Sequence, residues 1–175
     1  SIELDKPYFS MENYDGLRPP KLMTASAIPD TGMYFNAGDL LLKVAAIKIT
    51  DGSFVSMVRG EVPEKGFFDG THIRVNKING TLQQVSFIKD TIRAQVELSA
   101  KERSGFELNK LKASYKLTPK VMEFAGLDLR TPGSRMGDYY AMRYNDFNED
   151  MADYIDSVFM DATFKNSYIS SDDIA

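Results

Sequence analysis

Residues 91–117 read TIRAQVELSAKERSGFELNKLKASYKL, and this stretch decides the fold. From Ile92 to Lys101 apolar and polar side chains alternate strictly, which is the period of a β-strand with one buried face. Ser104 and Gly105 supply turn residues, and apolar positions resume at Phe106. The stretch therefore predicts an antiparallel hairpin.

A two-residue turn at Ser104-Gly105 fixes the register of this hairpin. Residues that lie directly opposite each other share a face of the sheet, so a correct register places apolar residues opposite apolar ones. Four pairs agree: Ile92 with Leu117, Ala94 with Tyr115, Val96 with Ala113, and Leu98 with Leu111. On the other face Glu97 lies opposite Lys112, an opposite-charge pair that contributes about 0.2–1 kcal/mol.

A first hairpin is predicted upstream, over residues 40–61. Two runs rich in apolar and β-branched residues flank Asp51-Gly52. This dipeptide favours a type I′ turn, because both central residues of that turn need a positive φ. A two-residue loop places Ile49 opposite Phe54 on one face.

A second hairpin is predicted over residues 71–88, around Asn79-Gly80. A two-residue loop would pair apolar with polar positions, for example Val75 with Gln84. A three-residue loop with Gly80 in the left-handed conformation and a β-bulge restores the match of faces.

Beyond residue 117 the pattern predicts helices. Thr118 and Pro119 suit the start of a short helix over 119–125, and a loop follows over 127–144. Asn145 is then the N-cap of an amphipathic helix. Its apolar stripe consists of Phe147, Met151, Tyr154, Ile155, Val158, Phe159 and Ala162.

These elements predict an α+β protein that is mainly β: an antiparallel β-meander or small barrel of about six strands, packed with a C-terminal amphipathic helix. Residues 1–39, rich in proline and glycine, form an irregular N-terminal arm. Residues 40–117 form the three-hairpin sheet, 118–169 the helical C-terminal part of the same domain, and 170–175 a polar tail.

Composition excludes several kinds of chemistry. The 175 residues include no cysteine and one histidine, His72. Disulfides, thiolate nucleophiles and cysteine-ligated zinc are therefore excluded, and we expect neither a metal nor a cofactor. The glycine-rich nucleotide-binding motifs and the Gly-x-Ser-x-Gly elbow do not occur. No apolar run approaches the ~20 residues of a transmembrane helix. We expect His72 to be a strand-end side chain.

The acidic segment that begins at Asn145 resembles a calcium-binding loop only in part. Asp146, Asn148 and Asp150 match the first three ligand positions of an EF-hand, but the required glycine and the final glutamate are absent. We therefore interpret the segment as the solvated face of the helix. That acidic face consists of Asp146, Glu149, Asp150, Asp153 and Asp156.

Charge is distributed unevenly. Residues 71–120 carry 10 basic and 4 acidic side chains, whereas residues 121–175 carry 4 basic and 11 acidic ones. The predicted meander thus presents a basic outer face with two aromatic residues near it. The candidate binding residues are Arg74, Lys77, Lys89, Arg93, Lys101, Lys110, Lys112, Lys116, Phe67 and Phe68.

Two hypotheses follow from this charge pattern. The first is a non-catalytic binding or assembly protein, which binds a protein partner or other copies of itself through the basic sheet face and the acidic helix face. The second is a single-stranded nucleic-acid-binding protein with a basic face of the β-barrel type. A carboxylate-dependent hydrolase is a third alternative. The compartment stays open: cytoplasmic if Ser1 follows a removed methionine, secreted or periplasmic if a signal peptide was cleaved.

Overall fold

The computed structural model of this protein describes residues 1–13, 36, 40–64, 66–145, 150 and 154–173. Strands make up most of these residues. They are β1 (Ile2–Asp5), β2 (Tyr8–Asn13), β3 (Leu42–Val58), β4 (His72–Ile88), β5 (Thr91–Glu102), β6 (Glu107–Thr118), β7 (Val121–Arg130), β8 (Arg135–Arg143) and β9 (Phe159–Phe164). The helices in the described part of the chain are one turn, α1 (Tyr154–Ser157), and a 3₁₀ turn over Ser171–Asp173.

All nine strands belong to one open sheet. Strands β3 to β9 follow one another as an antiparallel meander, each paired with the next. Strands β1 and β2 lie end to end along the outer edge of β3 and run parallel to it. The predicted α+β fold, a meander or small barrel of about six strands packed with a helix, is therefore wrong: the described chain is nearly all β, and its one sheet has nine strands and does not close.

The hairpin at residues 91–117 is confirmed. Strands β5 and β6 pair in the predicted register, from Ile92 opposite Leu117 to Leu98 opposite Leu111. A bulge beyond Leu98 shifts the register by one residue, so that the turn contains three residues and ends at Gly105, with a φ of 110°.

The two upstream hairpins are wrong. Asp51-Gly52 lies inside β3 and Asn79-Gly80 lies inside β4, and these two 17-residue strands pair with each other. The positive φ that Asp-Gly and Asn-Gly favour is used here for bulges: Asp51 has a φ of 52°. The Asp51 N–H donates to Asn79 Oδ1 across the pair at 2.9 Å. The two dipeptides that predicted hairpin turns therefore lie next to each other at bulges in two paired strands.

Gly80 also differs from its predicted role. It is not left-handed; the left-handed residue near this bulge is Lys77, with a φ of 52°. Gly80 pairs with Leu98 on β5, and a Cβ placed on it would lie 2.2 Å from the Glu97 carbonyl oxygen. The position needs glycine because the two backbones approach closely.

The structure has strands where the two helices were predicted. Residues 119–125 fall largely in β7, because the Thr118 hydroxyl accepts the N–H groups of Lys120 and Val121 and so caps a β-turn instead of a helix. The end of the expected apolar stripe lies in β9. No C-terminal amphipathic helix is found in the described residues, and residues 146–149 and 151–153 of the proposed helix lie outside them.

The sheet forms a single layer in the part of the chain that the structure describes, where each strand contacts only the strands paired with it. Most of the buried apolar side chains are small ones, among them Ala94, Ala113 and Ala141. None of the described large side chains is fully buried. The strands therefore form two broad surfaces rather than enclosing a core.

Candidate interaction surfaces

One side of the sheet is mostly apolar, with Asp138 on β8 as a charged exception beside Leu127 and Phe164. Because cross-strand partners share a face, the registers define unbroken rows of apolar side chains. The longest row crosses seven strands, from β3 to β9, through Leu42, Phe87, Ile92, Leu117, Met122, Met142 and Met160. A second runs from β5 to β8 through Leu98, Leu111, Leu129 and Met136. We call the surface that these rows and the residues between them form the apolar face.

Aromatic rings lie between these rows. Tyr115, Phe124 and Tyr140 are consecutive cross-strand partners on β6, β7 and β8. The ring centroids of Tyr115 and Phe124 are 5.1 Å apart, and those of Phe124 and Tyr140 are 6.5 Å apart. Beside them is a shallow depression of about 380 Å³, lined by Leu111, Phe124, Leu127, Leu129, Met136, Tyr140 and Phe164. Its lining contains no charged side chain.

The apolar face is poorly buried. Among the described residues eight apolar side chains are buried, whereas eighteen large apolar side chains are exposed. Seven of the exposed ones belong to the apolar face and lie toward its edges: Ile2, Leu4, Phe9, Met11, Leu42, Met160 and Phe164. An exposed apolar surface of this extent is typical of an interface rather than of a solvent-facing side.

The opposite side of the sheet carries the predicted basic face, but its charges are balanced. The structure pairs four of the eight candidate cations with carboxylates: Lys101 with Glu107 at 3.1 Å, Lys110 with Asp128 at 3.1 Å, Lys112 with Glu97 at 3.4 Å, and Lys116 with Glu123 at 3.6 Å. We call this side the charged face. Two of the carboxylates, on β7, come from the segment for which a helix and a loop were predicted.

Asp128 is the centre of the strongest charge cluster on this face. Its carboxylate accepts two hydrogen bonds from the Arg130 guanidinium and lies 3.1 Å from Lys110 Nζ and 3.6 Å from Arg135 Nε. The Arg130 hydrogen bond, followed by Lys110, lowers the pKa of Asp128 to about 2. This cluster ties β6, β7 and β8 together.

The other predicted cations are dispersed. Arg93 lies opposite Lys116, as predicted. Arg74 lies opposite Val55 at one end of the β3–β4 pair. Lys77 sits at the β4 bulge, and Lys89 is in the turn after β4, with a φ of 51°. Arg93 therefore adjoins the paired lysines, whereas the other three lie at other places on β4 and its following turn.

The predicted aromatic residues lie in a different place. Phe67 and Phe68 line a cleft of about 880 Å³ at one end of the sheet, formed by the β3–β4 loop, the β5–β6 and β7–β8 turns and the C-terminal 3₁₀ turn. Its side chains include Phe106 and four carboxylates: Glu102, Glu107, Asp172 and Asp173. The aromatic pair therefore accompanies acidic groups rather than the basic ones expected for nucleic acid.

The C-terminal segment closes one side of this cleft. The Asp173 carboxylate accepts hydrogen bonds from the Thr131 hydroxyl at 2.6 Å and from the Ser134 hydroxyl, and these two hydrogen bonds lower the pKa of Asp173. The Ser134 hydroxyl also accepts the Ser170 N–H at 2.9 Å. Residues 170–173, predicted as part of a polar tail, are thus docked on the β7–β8 turn.

His72 belongs to a loop anchor. Its Nδ1 atom lies 3.2 Å from Asp69 Oδ2 and 3.0 Å from the Thr71 hydroxyl. Arg103, in the turn between β5 and β6, contacts the same loop: its Nη1 donates to the Glu64 carbonyl and its Nε to the His72 carbonyl. The Thr71 hydrogen bond is the main cause that lowers the pKa of Asp69 to about 2. These contacts fix a loop.

Of the predicted acidic face, the structure describes two members. Asp150 accepts the N–H of Asn145, and Asp156 is exposed on α1. Asp146, Glu149 and Asp153 lie outside the described residues.

Comparisons with protein-family models, with curated proteins and with solved structures give no match for this chain. The function therefore has to be argued from these surfaces.

No three histidine or carboxylate side chains among the described residues lie close enough together to hold a metal ion. The helices that the structure describes are too short and too polar to cross a membrane. What the arrangement offers is two large surfaces, one apolar and one with balanced charge. The sequence signal for the apolar face was the alternation in β5 and β6; its continuation through β7 to β9 was missed.

Proposed function

We propose that this chain is a non-catalytic structural protein that works by assembling with other copies of itself. The observation that carries the proposal is the apolar face: a nine-stranded sheet with an apolar row across seven strands and no second layer over it in the described part of the chain. Domains are stable as two packed layers, because a sheet that is apolar on one face must bury that face against something.

The two alternative functions have less support. A nucleic-acid-binding face needs unpaired cations beside exposed aromatic rings, whereas here Lys110, Lys112 and Lys116 pair with carboxylates and the Phe67–Phe68 pair lies among acids.

A carboxylate-dependent hydrolase needs a pair of carboxyl groups free to exchange protons in a cleft. In the 880 Å³ cleft, the Glu102 carboxylate accepts backbone N–H groups of Ser104 and Arg74.

Sedimentation velocity of the purified chain tests the proposal. Assembly predicts that the weight-average sedimentation coefficient rises as the protein concentration is raised from about 1 to 100 µM, a range that brackets micromolar interfaces. Because the apolar face carries the interaction, the association should persist in ~0.5 M salt, which screens exposed charges. A monomer throughout that range would contradict the proposal. Tight salt-sensitive binding to single-stranded oligonucleotides would favour the second hypothesis instead.

A further inference from the structure

We infer that two copies of this chain pack through their apolar faces, face to face, into a two-layer β-sandwich with the charged faces outside. This inference rests on the proposed function, since it names the surface through which the chain assembles. It differs from the contact through a basic sheet face and an acidic helix face that the charge pattern suggested.

The size of the apolar face fits such a contact. Across the sheet it spans eight strand positions, or about 34 Å at ~4.8 Å per strand, and strands of about ten residues are about 34 Å long. Its flat area is therefore about 1,100 Å². A stable protein–protein interface buries about 800 Å² on each partner, so the face is large enough for a stable dimer.

The chemistry of the face selects its partner. The seven-strand row from Leu42 to Met160 contains no charged residue, so a charged partner segment would be desolvated without compensation. An apolar sheet of the same dimensions would bury this face most completely without desolvating charged groups. A second copy supplies that sheet, because a two-fold axis lying in the plane between the two faces turns the second face toward the first, and each copy then presents the same apolar rows to the other. Sheets stacked this way lie about 10 Å apart with interdigitated side chains.

The charged face is suited to be the outer surface of such a sandwich. Its lysines already have carboxylate partners within the same chain, such as Lys112 with Glu97 and Lys116 with Glu123. It therefore needs no partner from another molecule. Mixed surface charge of this kind keeps a β-protein in solution and discourages further stacking.

The absence of cysteine allows a direct test, since a single introduced thiol is the only reactive sulfhydryl. Met136→Cys places that thiol in the apolar depression, on the inferred contact. Gln95→Cys places it on the exposed charged face, where Gln95 contacts Ser114, and serves as the matched control. The rate of reaction with a maleimide reagent is measured for both folded variants over 1–100 µM protein, with sedimentation velocity on the same samples.

We expect the position-136 thiol to react at least about tenfold more slowly at high than at low concentration, and the position-95 thiol to react at one rate throughout. Association with equal reactivity at both positions would overturn the face-to-face contact while leaving the proposed function standing. A monomer would overturn both. Protection at position 136 that does not depend on concentration would also overturn the inference, because the face would then be covered within one chain.

A second pair of variants guards against misfolding. Met142→Lys puts a charge into the longest apolar row, and Ser114→Lys puts one on the charged face. We expect the first to reduce association by at least about tenfold and the second to leave it unchanged, with both retaining the β-sheet circular dichroism of the parent. Equal association of the two folded variants would contradict the inference.

Discussion

Replacing Gly80 with alanine tests the central registers of the sheet. Gly80 pairs with Leu98 on β5 and with Ile49 on β3, so it lies between two neighbouring strands. An alanine Cβ would lie 2.2 Å from the Glu97 carbonyl oxygen and 2.6 Å from the Leu98 Cα atom. These distances are shorter than an ordinary van der Waals contact of about 3.5 Å by about 1.3 and 0.9 Å.

The expected loss of stability follows from the backbone that has to move. Both nearest atoms belong to the backbone of β5, so relief requires β4 and β5 to separate locally. Overpacking of this kind costs about 1–3 kcal/mol, and weakening one or two ladder hydrogen bonds beside Gly80 adds about 1 kcal/mol each. We therefore expect Gly80→Ala to lower the free energy of unfolding by about 2–5 kcal/mol, a large part of a typical 5–15 kcal/mol.

Urea unfolding followed by circular dichroism measures this change. Gly70→Ala is the matched control, because a Cβ at Gly70 meets no atom within 4 Å and its φ is not positive. If Gly80 instead occupied the left-handed position of a local hairpin turn, its replacement would cost only about 1–2 kcal/mol. A value within about 0.5 kcal/mol of the control would refute the close approach of β4 and β5.

Three further predictions concern the polar contacts. The pKa of Asp69 is about 2 in the folded chain, below the ordinary 3.8. The stability that its ionised carboxylate gives the fold is therefore complete above about pH 4 and is lost as the pH falls toward 2. Urea unfolding of Asp69→Asn should show a weaker acid dependence than that of Glu3→Gln. Burial raises the pKa of Tyr144 from 10 to about 12, so stability that is present below pH 10 is lost as the pH rises toward 12. Tyr144→Phe should reduce that alkaline loss of stability. An unchanged slope of the unfolding free energy against pH would count against the burial of this phenol. Asp173→Ala removes the acceptor of two hydroxyl groups, so it should lower the urea midpoint and speed hydrogen exchange at the Ser170 N–H, whereas Asp172→Ala should change neither.

The registers that were predictable from sequence are those in which one local pattern fixes both strands. In β5 and β6 the alternation is strict and the turn is short, so four apolar pairs agreed without a long-range choice. Asp51-Gly52 and Asn79-Gly80 failed because these dipeptides report only a tolerance for positive φ, which a bulge uses as well as a hairpin turn.

The charge balance could not be predicted for a related reason. Glu123 and Asp128 neutralise Lys116 and Lys110 only because β7 lies beside β6. The Thr118-Pro119 signal placed a helix there, since a threonine that caps a helix and one that caps a β-turn form the same kind of side-chain hydrogen bond to the backbone. With β7 assigned as helix, the lysines were left without partners and the surface was predicted to be basic.

The most direct test of the apolar face as a contact between copies is the stability of the unmodified chain as a function of its concentration. If the folded state is a face-to-face dimer, unfolding also separates the two chains. A 100-fold increase in concentration should then raise the apparent free energy of unfolding by about 2.7 kcal/mol per dimer, seen as a higher urea midpoint at 100 µM than at 1 µM. A midpoint that does not change over this range would contradict the account.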